Sequence, residues 1–306
     1  MSGRARPERL RDGSKVALVA PAGPVDKASL DRGVAILRGW GLQVEIGDHV
    51  LDRHPRLGYL AGRDEDRAAD LQRAWCDPTI DAVLCARGGY GAMRIVDALD
   101  WTAMAEARPK VFTGSSDITA LHVAIGDRLQ VATLFAPMIA TESFDRTAQE
   151  QLRATLFDPE SMLTLRSPAA TTVTPGISSG ILAGGNLSLL TAGLAASRAP
   201  PPPDNALVLL EDVDEPAYRI DRMITQLRRA DWFAGVTGIV LGSWTRCGGS
   251  QEVYATVTDL LGDLDVPVVW DVGFGHCAGQ LTIPLGVPAT LDADRCTIAL
   301  RQPALS

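Results

Sequence analysis

Three segments of the sequence hold residue types that could do chemistry. The first runs from the apolar Val111-Phe112 into Thr113-Gly114-Ser115-Ser116-Asp117 and on into a helical pattern from Ile118 to Asp127. A serine at such a strand-to-helix turn presents its Oγ, while the next backbone N–H and the helix N-terminus favour an oxyanion beside it. The same three residues, Ser115, Ser116 and Asp117, are equally suited to capping a helix, and the glycines of a G-x-S-x-G elbow are missing. In the second segment, Leu207-Val208-Leu209-Leu210 ends in Glu211-Asp212-Val213-Asp214-Glu215. Ligands of open α/β sheets sit beyond the carboxyl ends of strands, which favours Glu211 for a site; a solvated acidic loop before a helix accounts for the pattern as well. The third is Asp271-Val272-Gly273-Phe274-Gly275-His276-Cys277, where two glycines let the backbone turn tightly and present an imidazole. A lone loop histidine more often has a structural role or none.

Only four histidines exist. His49 and His54 lie in polar loop sequence. His122 follows Ser116 by six helical residues, ~9 Å of rise and roughly 120° off its face, and so cannot reach the Ser116 hydroxyl. A fourth segment, Ala86-Arg87-Gly88-Gly89-Tyr90-Gly91, offers backbone N–H groups for close approach to a ligand. It is not G-x-G-x-x-G, which argues against a dinucleotide site.

Elements must position these residues. Val16–Ala20, Val44–Ile46, Ile80–Cys85, Val111–Thr113 and Val131–Phe135 read as strands. They alternate with helices carrying Leu30, Val34 and Leu37, or spanning Asp64 to Trp75, which predicts a parallel sheet covered on both faces. The pattern weakens between Thr141 and Pro175, and Ser167 to Thr172 reads as a linker. Beyond it the strands are Ile177–Leu182, Ala206–Leu210, Val236–Leu241, Val266–Trp270, Leu281–Leu285 and Thr297–Leu300. A helix starts at Asn186, an amphipathic one spans Tyr218–Arg229, and Pro200 to Pro203 form a stiff loop. The expected fold is therefore α/β with two domains: residues 1–165 as a parallel-sheet sandwich, 166–175 as a linker, and 176–306 as a mixed, β-rich α/β domain.

Composition removes other classes. The chain has 306 residues, enough for two domains, and 29 Lys+Arg against 37 Asp+Glu give a net charge of −8. That balance argues against a nucleic-acid partner, and Arg4, Arg6, Arg9, Arg11 and Lys15 read as a solvated N-terminal arm. No apolar run of about 18 residues exists, so no membrane span is expected. The five cysteines are scattered and never spaced C-x-x-C, as in reduced thiols of a cytoplasmic protein.

Eight segments in order carry a resemblance to a known family: VALVAPAGPV from Val16, GYLAGRDEDRAADL from Gly58, ARGGYGAMRI from Ala86, GSSDITALH from Gly114, LAGGNLSLL from Leu182, LLEDVDEPAYRIDRMITQL from Leu209, GSWTRC from Gly242, and GFGH followed by LTIPLG. Over nearly its whole length the chain resembles the LD-carboxypeptidases, or murein tetrapeptide carboxypeptidases, which include the microcin immunity proteins. The resemblance implies a flavodoxin- or glutamine-amidotransferase-like first domain. It implies Ser116 as nucleophile, His276 as base and Glu211 as the acid that orients it. It also implies an oxyanion site from backbone N–H groups of Asp117 and Gly88 or Gly89. Ser115 stands where the family commonly has an aromatic residue.

The implied activity is release of terminal D-Ala from cytoplasmic murein tetrapeptides by a homodimer, with no cofactor and no metal. A free D-Ala carboxylate calls for a cation, and Arg87, Arg94 and Arg246 are the candidates. The rival within the family is hydrolysis of peptidyl or aminoacyl adenylate analogues, as in the immunity proteins. Other classes are a non-catalytic peptide- or sugar-binding protein and a metal-dependent hydrolase using the acids from Glu211 to Glu215.

Overall fold

The computed structural model describes residues 3–194 and 202–306. Strands and helices alternate through its first half: β1 (Lys15–Val19), α1 (Lys27–Gly39), β2 (Gln43–Ile46), α2 (Asp64–Cys76), β3 (Ala82–Cys85), α3 (Ala92–Ile95), α4 (Trp101–Glu106), β4 (Val111–Gly114), α5 (Thr119–Arg128), β5 (Thr133–Phe135), α6 (Arg146–Phe157) and β6 (Thr164–Leu165). The first five strands pair in parallel in the order β5-β4-β3-β1-β2. On one face Val16, Leu18, Leu84 and Val111 meet Leu30, Val34 and Leu37 of α1 and Leu152 and Leu156 of α6. On the other, Ala17, Val19, Val83 and Phe112 meet Leu71 and Trp75 of α2 and Leu121 and Ile125 of α5. Strand side chains alternate between faces, so a sheet buried on both sides needs apolar residues at every position.

The second half comprises β7 (Thr171–Thr174), β8 (Ile177–Asn186), α7 (Leu187–Gly193), β9 (Ala206–Val213), α8 (Ala217–Arg229), β10 (Val236–Thr245), α9 (Ser250–Leu261), β11 (Val268–Trp270), β12 (Ile283–Leu285), β13 (Pro288–Asp292) and β14 (Thr297–Leu300). Its described strands form a mixed sheet in the order β6-β14-β13-β8-β9-β10-β11-β7, with β8 to β11 parallel. Val208 and Leu210 turn toward Ile220, Ile224 and Leu227 of α8 and Val253, Val257 and Leu261 of α9. Leu207 and Leu209 turn the other way, into a core shared with Phe135 of β5, Phe274 and β12.

The fold is two-domain α/β, as expected, but the divisions differ from those read in the sequence. Thr171–Thr174, in the expected linker, is a strand paired with Val268–Trp270, and β6 joins β14 of the second sheet. Conversely, β12 crosses back to pair antiparallel with β5, so the second half completes the first sheet. Helix α6 forms where periodicity looked weak: Asp145 caps it through Ala148 N, and Ala148, Leu152 and Leu156 are buried. The N-terminal arm packs onto the body of the protein, with Arg11 alone of its five basic residues exposed. Ala5 bridges Val131, Arg6 donates to the carbonyls of Pro303 and Leu305, and Leu10 is buried. Burial holds the Arg4 guanidinium below its ordinary pKa. Pro200 and Pro201 of the expected proline loop lie outside the described residues.

Phe135 and Phe274 meet edge to face, with centroids 5.9 Å apart, in the core between the sheets. Phe135→Ala is expected to cost about 3–5 kcal/mol, read as a lowered urea midpoint in a single transition. Two separated transitions would show that the sheets unfold independently.

Candidate active site

β4 ends at Gly114, and a 3₁₀ turn from Ser116 to Ile118 leads into α5. Ser116 sits at φ 57°, in the left-handed region. A non-glycine residue held there costs on the order of 1–3 kcal/mol and marks a backbone fixed by its surroundings. The two adjacent serines are thereby told apart: Ser115 is extended and buried, while Ser116 is strained and partly exposed. Asp117 does not cap its own helix. Its buried carboxylate accepts a 2.7 Å hydrogen bond from Ala92 N, at the start of α3. Burial pushes Asp117 up to about 6, against the pull of that N–H group.

This bond ties the elbow to the glycine-rich segment after β3. A Cβ on Gly88 would stand 3.1 Å from Ser116 Cβ, so this glycine lets the two loops touch. Gly89 has φ +105°, and the Gly88 carbonyl accepts from Gly23 N at 2.9 Å. The N–H groups of Gly88 and Gly89 donate to no other group among the described residues. They remain available to a ligand at the serine, as does the helix N-terminus behind it.

Glu211 lies within β9 and not in a loop beyond it, because the strand pairs on both sides past the apolar run: Asn186 with Glu211, and Trp244 with Asp212. Alternation places Glu211 on the Leu209 side, facing the first sheet. It is fully buried, and its Oε2 lies 2.8 Å from His276 Nδ1. Its Oε1 accepts from Asn186 Nδ2 at 3.1 Å. Burial works against the His276 imidazolium, yet the hydrogen bond and charge of Glu211, with Asp212 behind it, hold its pKa above the ordinary value. With Nδ1 engaged, Nε2 is the nitrogen left for other chemistry. The histidine loop is pinned to β10 by Ser243 N to Phe274 O (2.9 Å) and Thr245 Oγ1 to His276 O. Gly275 has φ +95°, and a Cβ there would meet Glu211 Oε2 at 2.5 Å.

Two residues not singled out in the sequence join these halves. Asn186 N donates to Thr119 Oγ1 at 3.0 Å, and Thr119 is one turn past Ser116. The Asn186 side chain spans Glu211, Asp212 (2.9 Å) and, as the α7 cap, Leu189 N (3.2 Å). The elbow and the carboxylate–imidazole pair are thus two hydrogen bonds apart. An asparagine opening a predicted helix was the available signal; its reach to a neighbouring strand was not.

The remaining candidates take structural roles. His122 is buried between Thr133 Oγ1 and the Gly114 carbonyl, both 2.9 Å away, and burial lowers its pKa to about 4. His49 pairs with Asp52, and His54 Nδ1 accepts from Arg56 N and Leu57 N. Of the acids considered for a metal, Asp212 is held by Ser188 N and Oγ, Asp214 by Arg246 and Glu215 by Arg219. Each therefore has a protein partner. Burial raises the thiols of Cys247 and Cys277 to about 11, leaving them protonated near neutrality.

Fold and site define a two-domain α/β protein with a serine elbow at the end of one sheet and, on the other, a buried carboxylate hydrogen-bonded to a partly exposed imidazole. The chain belongs to the LD-carboxypeptidase family: residues 16–136 match its N-terminal domain and 179–291 its C-terminal domain. It is 54% identical over 302 residues to a putative carboxypeptidase of Streptomyces coelicolor, covering 98% of this chain and 97% of the relative. It is 30% identical to the murein tetrapeptide carboxypeptidase of Pseudomonas aeruginosa, covering 92% and 94%. Among solved structures, the muramoyltetrapeptide carboxypeptidase of Oxalobacter formigenes matches at a TM-score of 0.80 with 26% identity, covering 94% and 97%. The microcin self-immunity protein MccF with glutamyl sulfamoyl guanosine matches in fold at 0.87 with 22% identity, covering 98% and 99%. Among the described residues no helix is long and apolar enough to cross a membrane.

Asp117 and Asp212 both stand near 6 in the folded chain, against an unfolded value of 3.8. Between these values the native state binds the extra protons, so stability rises as pH falls through this window. Asp117→Asn is expected to flatten that slope, measured by urea unfolding from pH 4 to 7. An unchanged slope would contradict the burial argument.

Proposed function

We propose that the chain is a serine peptidase that removes the terminal D-Ala of murein tetrapeptides, acting in the cytoplasm during cell-wall recycling. The observation that carries this reading is the Glu211–His276 pair, joined to the Ser116 elbow through Asn186 and Thr119. The name of the Pseudomonas aeruginosa relative, murein tetrapeptide carboxypeptidase, supports the substrate, and the five free cysteines suit a reducing compartment.

In this mechanism His276 Nε2 takes the Ser116 hydroxyl proton as Oγ attacks the carbonyl of the L-centre. Glu211 holds the imidazole by its Nδ1–H and stabilises the imidazolium. The oxyanion is met by the N–H groups of Asp117 and Gly88 or Gly89. As the C–N bond breaks, His276 returns the proton to the departing D-Ala amine. Water then gives a proton to His276 and attacks the acyl ester, and Ser116 recovers its hydrogen.

Ser116→Ala is expected to lower kcat by a factor on the order of 10⁶, followed by mass spectrometry for loss of one alanine from the tetrapeptide. Full activity in that variant would overturn the assignment. Cleavage of an aminoacyl adenylate analogue but not of the tetrapeptide would move the reading to the immunity-type reaction.

The base must be neutral, so kcat/KM falls as pH drops through the His276 pKa, which lies above its ordinary value. Glu211→Gln removes the charge that raises it. The acid limb should then move to lower pH while kcat falls by about 10⁴-fold. An unmoved limb would show that Glu211 does not act through His276.

A further inference from the structure

A carboxypeptidase has to tell a chain end from a chain interior, which means recognising a free carboxylate next to the bond it cuts. In a chain of net charge −8, with Glu211, Asp212 and Asp214 on one side of the site, an anionic peptide end needs a local cation. Three arginines stand in segments around the site, and their partners rank them.

Arg94 is committed to Asp64 through Nε at 2.9 Å and Nη2 at 2.7 Å. Arg246 is committed to Asp214 through Nε at 2.6 Å and Nη2 at 2.8 Å. Arg246 thus grips both oxygens of Asp214 and Arg94 sets two nitrogens on the single Oδ2 of Asp64, and a substrate carboxylate would have to displace either ion pair. Arg87 differs. Its Nη1 donates to the Pro24 carbonyl at 2.6 Å, a neutral partner that fixes the guanidinium without cancelling its charge. Its side chain is exposed and has no carboxylate partner among the described residues, and Nε and Nη2 have no partner there either. One edge of the fork is anchored and the other is free.

Its location fits. Arg87 directly precedes Gly88, whose Cβ position lies 3.1 Å from Ser116 Cβ, and successive Cα atoms are about 3.8 Å apart. The base of the Arg87 side chain is therefore in the layer of residues touching the elbow. The Pro24 anchor belongs to the same assembly, since Gly23 N donates to the Gly88 carbonyl at 2.9 Å. Arg67, which donates to the carbonyls of Pro21 and Gly91, braces that turn from behind.

We infer that Arg87 is the specificity-determining residue that binds the free C-terminal carboxylate of the substrate through Nε and Nη2. This rests on the proposed peptidase reading and extends it to the selection of chain ends. The anchored planar fork meets two carboxylate oxygens at once, a geometry that lysine cannot supply.

The test compares two substrates on one enzyme preparation: the murein tetrapeptide with a free terminal D-Ala, and the same peptide ending in D-Ala carboxamide. The wild type should favour the acid. Arg87→Ala should lower kcat/KM for the acid by about ten- to a hundred-fold, mainly through KM, and leave the amide little changed, so that the preference collapses. Arg87→Lys should keep only part of it. Arg94→Ala and Arg246→Ala should keep the wild-type ratio. Because any misfolded fraction cancels in the ratio, an equal loss on both substrates would overturn the inference and leave Arg87 as a brace for the Pro24 turn. An undiminished preference for the acid in Arg87→Ala would overturn it as well. A wild type that cleaves neither peptide would remove the peptidase reading itself, and this inference with it.

Discussion

Taking a carboxylate out of water costs several kcal/mol unless its oxygens are hydrogen-bonded and its charge is balanced. Glu211 is fully buried, so the surrounding structure is organised to meet that demand. One oxygen is served by Asn186, which requires β8 to run beside β9 in the register that sets Asn186 opposite Glu211. The other is served by His276, whose loop comes close only because Gly275 has no side chain and takes φ +95°. Gly184 and Gly185, at φ +108° and +145°, shape the end of β8 so that its asparagine also caps α7. The strand register, a helix start and a glycine turn are thus three answers to one electrostatic requirement.

The elbow obeys a parallel constraint. Ser116 in the left-handed region is strained, and the strain persists because its neighbours are committed elsewhere. Asp117 is spent on Ala92 N, His122 is wedged against the Gly114 carbonyl, and Gly114 pairs with Phe135 in β5. Thr119 then hands the position on to Asn186. Neither half of the site is complete in one sheet. The core around Phe135, Phe274 and β12 packs the two halves against each other.

Much of this was legible in the sequence, and for a definite reason. Residues whose neighbours force one conformation, such as the apolar run at Val16, the helical stripe at Ile220, Ile224 and Leu227, and the glycines before His276, declare themselves locally. What was hidden depended on partners far along the chain. Glu211 looked like the first residue past a strand because polarity changes there; backbone pairing on both sides carries the strand on to Val213. Four arginines near the N-terminus looked solvated, yet the arm packs because backbone carbonyls at Pro303 and Leu305 receive Arg6. Strand β7 hid in a small, polar stretch because it is an edge strand, whose outer side needs no apolar pattern. The three arginine candidates were equivalent as residue types, and only their partners separate them.

The return of β12 to the first sheet bears on how the chain is made. On a ribosome the first half emerges with β5 as an apolar edge, its backbone groups and Phe135 without their cover, until residues Ile283–Leu285 arrive. At about 5–20 residues per second that interval is on the order of ten seconds. An uncovered strand edge is a template for pairing with other chains. For this fold, then, a strand synthesised long after β5 acts as the closing seam of the first sheet, and a nascent chain stalled before it would carry its serine turn on an unfinished support.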